Sequence, residues 1–292
     1  MAAGLLAVAL TGCSSNPNAN CDGALPSGKA SDLVTATGKI GSTPKVEVPS
    51  PIDTSTSQRT ILTEGTGSKV QSNQMLEVTY SVVNGETGEV AGGSTSAQLY
   101  ATGTDAVSKG LLCAPVGSRV AIVVSPKDSG AQEGADSPSP IYVIDVVKAF
   151  LPAANGAVRP AVSGFPTVVL APTGQPGITI PSSGGAPTKV RSELLKAGDG
   201  ATVKKDSQVV LQYTAVGWEQ KNVVTSSWTA SPDLVDLKTG QSSLQSQQSS
   251  VLPQAMLKEL VGQKVGSQVV VETPKDGEFP AAAWVVDILG VR

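Results

Sequence analysis

Histidine is absent from all 292 residues. Its absence excludes imidazole-based catalytic triads, histidine zinc ligands and the commonest general base, so any catalysis proceeds without imidazole. A surplus of positive charge is missing as well: 21 Lys plus Arg stand against 24 Asp plus Glu. Without a basic field to attract a phosphate backbone, nucleic-acid partners are not expected. No Gly-x-Gly-x-x-Gly precedes a helical stretch, and neither a P-loop nor a Cys-x-x-Cys occurs, so no cofactor or metal is expected. Long charged runs are lacking, and only three methionines occur. What remains is rich in Val, Thr, Ser, Gly and Pro, a mixture that favours short strands and turns over long helices. An all-β or α+β class follows, long enough for two domains of roughly 100 to 150 residues with a leader and linkers.

Residues Met1 to Leu10 are almost wholly apolar and run into Leu10-Thr11-Gly12-Cys13. This resembles a bacterial lipobox, at which a signal is cleaved and the new N-terminal cysteine acylated; the other reading is a chance apolar start. The stretch is too short to span a bilayer, which takes about 20 apolar residues, and it lacks a basic n-region. The polar tract from Ser14 to Pro17 suits a surface tether. With Cys13 acylated, Cys21 and Cys113 remain as an even pair in a chain exported to an oxidising compartment, where they are expected to form a disulfide. The alternative is a buried Cys113 with a free Cys21.

An internal repeat organises the rest. Gly65, Gly67, Val70 and Tyr80 fall on Gly198, Gly200, Val203 and Tyr213 at a constant offset of 133 residues. Val116-Gly117-Ser118 matches Val265-Gly266-Ser267, and both copies close on an apolar strand, in which Asp145 and Asp287 hold equivalent places. The glycines at 65 and 67 read as turn formers, and the two aspartates as solvent-facing strand residues. Pro253 to Leu260 suits a short amphipathic helix stopped by Gly262, and Asp105 to Leu112 takes that place in the first copy. The expected architecture is α+β: two domains, each an antiparallel sheet wrapped on one short helix. The boundaries read as signal 1–13, linker 14–44, first domain 45–150, linker 151–163 and second domain 164–292.

The order of motifs in the second copy resembles the FKBP-type peptidyl-prolyl cis/trans isomerases. Gln212-Tyr213-Thr214-Ala215 stands for the family's "HYTG", and Val224-Thr225-Ser226-Ser227 for "FDSS". Val251-Leu252-Pro253 stands for "VIPGW", Leu260-Val261-Gly262 opens "GLxGMxxG", and Ala283 to Leu289 gives the final strand. Together these motifs cover about 100 residues, and the two copies resemble actinobacterial lipoproteins of the family. The departures are specific. Val224 and Thr225 replace the pocket phenylalanine and aspartate, Met256 or Ala255 the floor tryptophan, and Phe279 is the nearest aromatic to a missing tyrosine. The loop between Asp276 and Trp284 is shorter than the family's covering loop. The first copy lacks an "FDSS" counterpart and is expected to be inactive.

The resemblance implies prolyl isomerisation in the second domain. That chemistry suits a chain without imidazole, because the barrier of roughly 18–20 kcal/mol comes from amide resonance and no proton need move. Tyr213 and Thr225 are the catalytic candidates, and Val224, Leu252, Met256, Phe279 and Trp284 the substrate-binding ones. On the other reading Tyr213 and Trp284 are core aromatics and Thr225 a surface strand residue. The implied partners are proline-containing exported proteins or peptides, macrolide ligands, and the membrane through the lipid anchor. A non-catalytic binding or chaperone module and a structural envelope spacer are the alternative functions.

Overall fold

The computed structural model describes residues 21–131, 137–242 and 251–292. The first half runs α1 (Lys29–Asp32), β1 (Thr35–Thr37), β2 (Lys45–Glu47), β3 (Gln58–Thr63), β4 (Met75–Asn84), β5 (Val90–Gly93), β6 (Gln98–Ala101), α2 (Ala106–Leu111), β7 (Arg119–Val123) and β8 (Pro140–Ala149). The second runs β9 (Ala157–Val158), β10 (Thr167–Leu170), β11 (Pro176–Thr179), β12 (Arg191–Ala197), β13 (Gln208–Gly217), β14 (Val223–Ser226), β15 (Asp233–Asp236), α3 (Gln254–Leu257), a 3-10 turn (Lys258–Leu260), β16 (Gln268–Thr273) and β17 (Ala282–Val291).

Each half builds an antiparallel sheet with the same order of equivalent strands. The first is β3-β7-β8-β4-β5 and the second β12-β16-β17-β13-β14, with β6 and β15 pairing on β4 and β13. Register shifts at Ile61/Thr63, Glu77/Val78 and Val82/Val83 recur at Leu194/Lys196, Val210/Leu211 and Ala215/Val216, so the sequence repeat extends to its bulges. In front of each sheet lies its helix. α2 sets Ala106 and Leu111 into one core, and α3 sets Met256 and Leu257 into the other. Asp105 caps α2, its carboxylate accepting from the Ser108 N–H at 2.9 Å. Pro253 precedes α3, where a missing N–H costs nothing, and Gly262 at φ 86° ends the turn that follows.

The repeat glycines are not turn formers. Gly65, Gly67, Gly198 and Gly200 are all outside the positive-φ region. A Cβ on Gly65 would lie 2.2 Å from the Val116 carbonyl oxygen, and one on Gly198 would lie 2.3 Å from that of Val265. Glycine is selected here because two backbones touch.

Both sheets are covered on their back faces too, and this corrects the reading of the two aspartates. β13 and β17 are buried almost without interruption, the signature of a strand packed on both sides. Asp145 is 0 % exposed and Asp287 1 %. Asp145 makes a bidentate ion pair with Arg119, Nε to Oδ1 at 2.6 Å and Nη2 to Oδ2 at 2.8 Å, and accepts the Gly41 N–H at 2.9 Å. In the second sheet Gln268 stands where Arg119 does. Asp287 accepts from Gln268 Nε2 at 2.7 Å and from the Ala154 N–H at 2.8 Å. Burial without a guanidinium pushes the Asp287 carboxyl up to about 6.

The segments that reach these aspartates come from the stretches read as linkers. Within 21–44, α1 and β1 lie on the back of the first sheet, where Ala30 and Val34 pack with Ala121, Val123 and Val143. Within 151–163, β9 pairs with β12 and the Gly156 N–H bonds the Gly266 carbonyl, so these residues belong to the second sheet. Cys21 and Cys113 are joined by a disulfide, which ties the N-terminal segment to the end of α2. Cys13 lies outside the described residues.

Candidate functional site

The front of the second sheet holds an apolar cleft of about 210 Å³. Its aromatic wall is set by strand register: β13 pairs with β17 so that Ala215 faces Trp284, which puts Tyr213 diagonally beside the indole. The ring centroids are 6.1 Å apart at 51°. Trp284 Nε1 donates to Thr273 Oγ1 at 3.2 Å, which satisfies the one polar atom of a nearly buried side chain.

Val224 and Thr225 enter from β14, paired beside Ala215 and Val216. Val251 and Leu252 enter just before α3, where the Leu252 N–H bonds the Gly240 carbonyl at 3.0 Å. Phe279 and Pro280 come from the short β16–β17 connection, closed on itself by reciprocal backbone bonds between Asp276 and Phe279. The structure therefore brings Tyr213, Val224, Thr225, Leu252, Phe279 and Trp284 together around one cavity. Met256 is not among the cleft-lining residues. It is fully buried in the cluster beneath, together with Leu257 and Leu260 of the same turn.

One residue of the site was not anticipated. Tyr213 Oη donates to Asp233 Oδ2 at 3.2 Å, and Asp233 Oδ1 accepts from Ser242 Oγ. Asp233 is on β15, opposite Leu211 of β13, and is 2 % exposed. Burial drives its carboxyl above the usual carboxylate range, and the two hydroxyl bonds oppose that rise. Burial, and then the neighbouring Asp233 charge, raise the Tyr213 phenol. The carboxylate that accepts from Tyr213 thus stands on the neighbouring strand, eight positions after Thr225. The sequence signal available was Pro232-Asp233-Leu234-Val235, an acid at a strand start within an apolar run.

Among the described residues that line the cleft the hydroxyls are Tyr213, bound to Asp233, and Thr225. What it offers is apolar enclosure, the three rings of Tyr213, Phe279 and Trp284, and a phenolic hydroxyl fixed by Asp233. The equivalent place in the first half is filled differently. Tyr142 faces Val82 as Trp284 faces Ala215, but Tyr100 Oη turns to Ser108 Oγ at 2.8 Å and to Asp105, and Leu25 of the disulfide-tied segment packs on the same cluster.

No protein-family model matches the chain, and no curated protein matches it. Among solved structures it is similar to the three FKBP domains of wheat FKBP73, at 13% identity and a TM-score of 0.34 over 81% of this chain and 94% of that one. It is also similar to a peptidyl-prolyl cis-trans isomerase from Pseudomonas syringae pv. tomato, at 22% identity and a TM-score of 0.28 over 32% of this chain and 74% of that one. A third is the N-terminal domain of FKBP42 from Arabidopsis thaliana, at 14% identity and a TM-score of 0.30 over 35% of this chain and 98% of that one.

Proposed function

We propose that the second half of the chain is an FKBP-like domain whose front cleft binds proline-bearing segments of exported or envelope proteins and isomerises the X–Pro bond slowly. The observation that carries this reading is the cleft itself: Tyr213, Leu252, Phe279 and Trp284 converge on an apolar cavity. Twisting an X–Pro amide needs removal from water rather than proton transfer, because a less polar surrounding favours the twisted, less charge-separated bond. Tyr213 gives its one phenolic proton to Asp233 and lends its ring to the wall, and Thr225, the second hydroxyl at the rim, is the donor left to meet a substrate carbonyl.

The short 274–281 connection supports slow turnover, since little chain is there to cover a bound proline. It equally favours a binding or chaperone-like role that outlasts catalysis, with weak affinity for macrolide ligands. The first half, with its front place packed by Tyr100 and Leu25, is assigned a structural part. The Cys21–Cys113 disulfide supports an oxidising compartment, consistent with export and with an acylated Cys13 as membrane anchor. The test is a proline-peptide isomerisation assay on the full chain with Leu252→Ala, Phe279→Ala and Tyr142→Ala. Turnover reduced by the first two and untouched by the third is expected; loss with Tyr142→Ala alone overturns the assignment. Peptide binding without turnover selects the binding module.

A further inference from the structure

Between the two halves lies a cavity of about 630 Å³, within the size range of small-molecule sites. The first half gives it residues 71–73, just before β4, and 102–104, between β6 and α2. The second gives it the β10–β11 turn at 172–175 and the residues from Trp228 that follow β14. Among the described residues that line it, none carries a charge.

Both walls are held in place by their own bonds. On the first, Gln74 Oε1 accepts from the Gln71 N–H at 2.8 Å and Thr102 Oγ1 donates to the Gln71 carbonyl at 2.9 Å. Gln74 Nε2 donates to the Phe150 carbonyl at 2.5 Å, which fixes this turn to the end of β8. On the second, the Ala171 N–H bonds the Gln175 carbonyl and the Gly174 N–H the Ala171 carbonyl, both at 2.9 Å. A Cβ on Gly174 would lie 3.1 Å from Trp228 Cη2, so the turn packs closely on the indole.

The repeat shows that these walls are not what the fold alone requires. At the offset of 133 residues, Gln71-Ser72-Asn73 falls on Lys204-Lys205-Asp206, an exposed turn with three charges and the same kind of internal bond, Ser207 Oγ accepting the Lys204 N–H at 3.0 Å. Trp228 falls on the exposed Thr95, since Ser227 and Ser94 make the same bonds to Tyr213 and Tyr80. Each half therefore departs from its own repeat at the surface it turns to the cavity, one by losing charge and the other by gaining an indole.

Packing of one half on the other accounts for the lost charge but not for the polar atoms left over. Asn73 Oδ1, an acceptor on the first wall, and Trp228 Nε1, a donor on the second, are buried without a hydrogen-bond partner, a condition native structures seldom leave unmet. The side-chain amides of Gln71 and Gln175 make no hydrogen bond with any described residue either.

We propose that this cavity is a binding site for a neutral oligosaccharide, with a sugar ring laid against the Trp228 indole and its hydroxyls bonded to Asn73, the Trp228 N–H and the two glutamine amides. Every hydroxyl both donates and accepts, so one kind of ligand group serves the orphaned acceptor on one wall and the orphaned donor on the other. The C–H face of a sugar ring is apolar and suits an aromatic plane. A charged ligand would give up water and meet no counter-charge, and a wholly apolar one would leave the amides unsatisfied. A peptide brings one donor and one acceptor per residue, fewer than the Gln, Asn, Ser and Thr side chains on these walls call for. The site is separate from the front cleft, and its occupation needs no isomerisation.

Titration of the full chain with maltotriose and with triacetylchitotriose, followed by proton–nitrogen NMR, tests this. Saturable shifts are expected at the Trp228 indole N–H and at the side-chain amides of Asn73 and Gln175 with at least one of the two, while the Trp284 indole stays unmoved. Asn73→Gly suits the backbone there, at φ 53°, and removes the acceptor; Trp228→Phe keeps a ring and removes the donor. Each is expected to weaken binding about tenfold, the effect of one buried hydrogen bond, with the Trp284 signal of the parent retained as the mark of an intact fold. No saturable shift with either sugar at tens of millimolar, binding that both variants leave unchanged, or shifts at Trp228 produced by a proline-rich peptide and by neither sugar overturns the proposal.

Discussion

Trp284 belongs at once to the buried cluster and to the cleft wall, so its two contributions have to be measured separately. It is 4 % exposed, and truncation leaves a hole between Tyr213 and the α3 turn. Trp284→Ala is expected to cost about 3–5 kcal/mol and to abolish cleft binding, checked by paired melting and peptide titration. A cost near zero with binding lost would place the ring outside the core. Asp287 gives a pH signature. Its carboxyl titrates at about 6 in the folded chain against an ordinary 3.8, so below pH ~4 both folded and unfolded chains hold the proton and stability is complete. As pH rises from about 4 to 6 the unfolded chain releases its proton first, and stability falls by on the order of 3 kcal/mol, then stays level. Asn at this place keeps the Ala154 bond through its carbonyl, and a turned Gln268 amide accepts from its NH₂. Asp287→Asn is therefore expected to flatten that slope and raise the melting temperature at pH 7; an unchanged slope counts against the assignment.

At the scale of elements, close backbone approach makes specific demands. Gly198→Ala forces β12 away from Val265 and is expected to cost roughly 1–3 kcal/mol, whereas a Cβ on Gly185 meets nothing within 4 Å, so Gly185→Ala is expected near neutral. Chemical denaturation of the two variants distinguishes close approach from turn formation as the reason for the repeat glycines. Their spacing could be read from the chain because it is local and recurs at a fixed offset, as do the capped helices and the strand alternation around Tyr80 and Tyr213. The back-face cover could not. Alternation places Asp145 and Asp287 away from the front core, and only the folded chain shows that 38–46 and 152–158 return to bury them. Most of the cleft was legible, since Tyr213, Val224, Thr225, Leu252 and Trp284 sit at motif positions and Phe279 is the aromatic nearest to a missing one. Asp233 was hidden because its partner is 20 residues away across a hairpin, and Met256 was misplaced because a one-residue turn of a short helix decides between cleft and core.

At the scale of the whole molecule, the two halves are joined through one apolar cluster rather than a free tether. Phe150 lies between Met75 of the first sheet and Val210, Leu234 and Leu289 of the second. Its N–H bonds the Met75 carbonyl, the Leu151 N–H bonds the Leu289 carbonyl, and Lys148 Nζ sits 4.3 Å above its ring. A Cβ on Gly290 would lie 2.2 Å from Phe150 Cδ1, so the second sheet gives up a side chain to receive the ring. The Arg292–Glu77 pair at 3.7 Å is half exposed and contributes little beside this burial. The halves are therefore expected to unfold in one transition. Phe150→Ala should remove about 3–5 kcal/mol of shared stability and split the transition in two, while Arg292→Ala leaves it single. Reduction of the Cys21–Cys113 bridge, which closes a loop of 92 residues, lowers the first half by up to roughly 4–5 kcal/mol in the chain-entropy account. In the parent chain the joint passes that loss to both halves and the single transition moves down intact; in Phe150→Ala only the earlier transition moves. Calorimetry on the four combinations checks this, and two transitions in the oxidised parent would show that the cluster does not couple the halves.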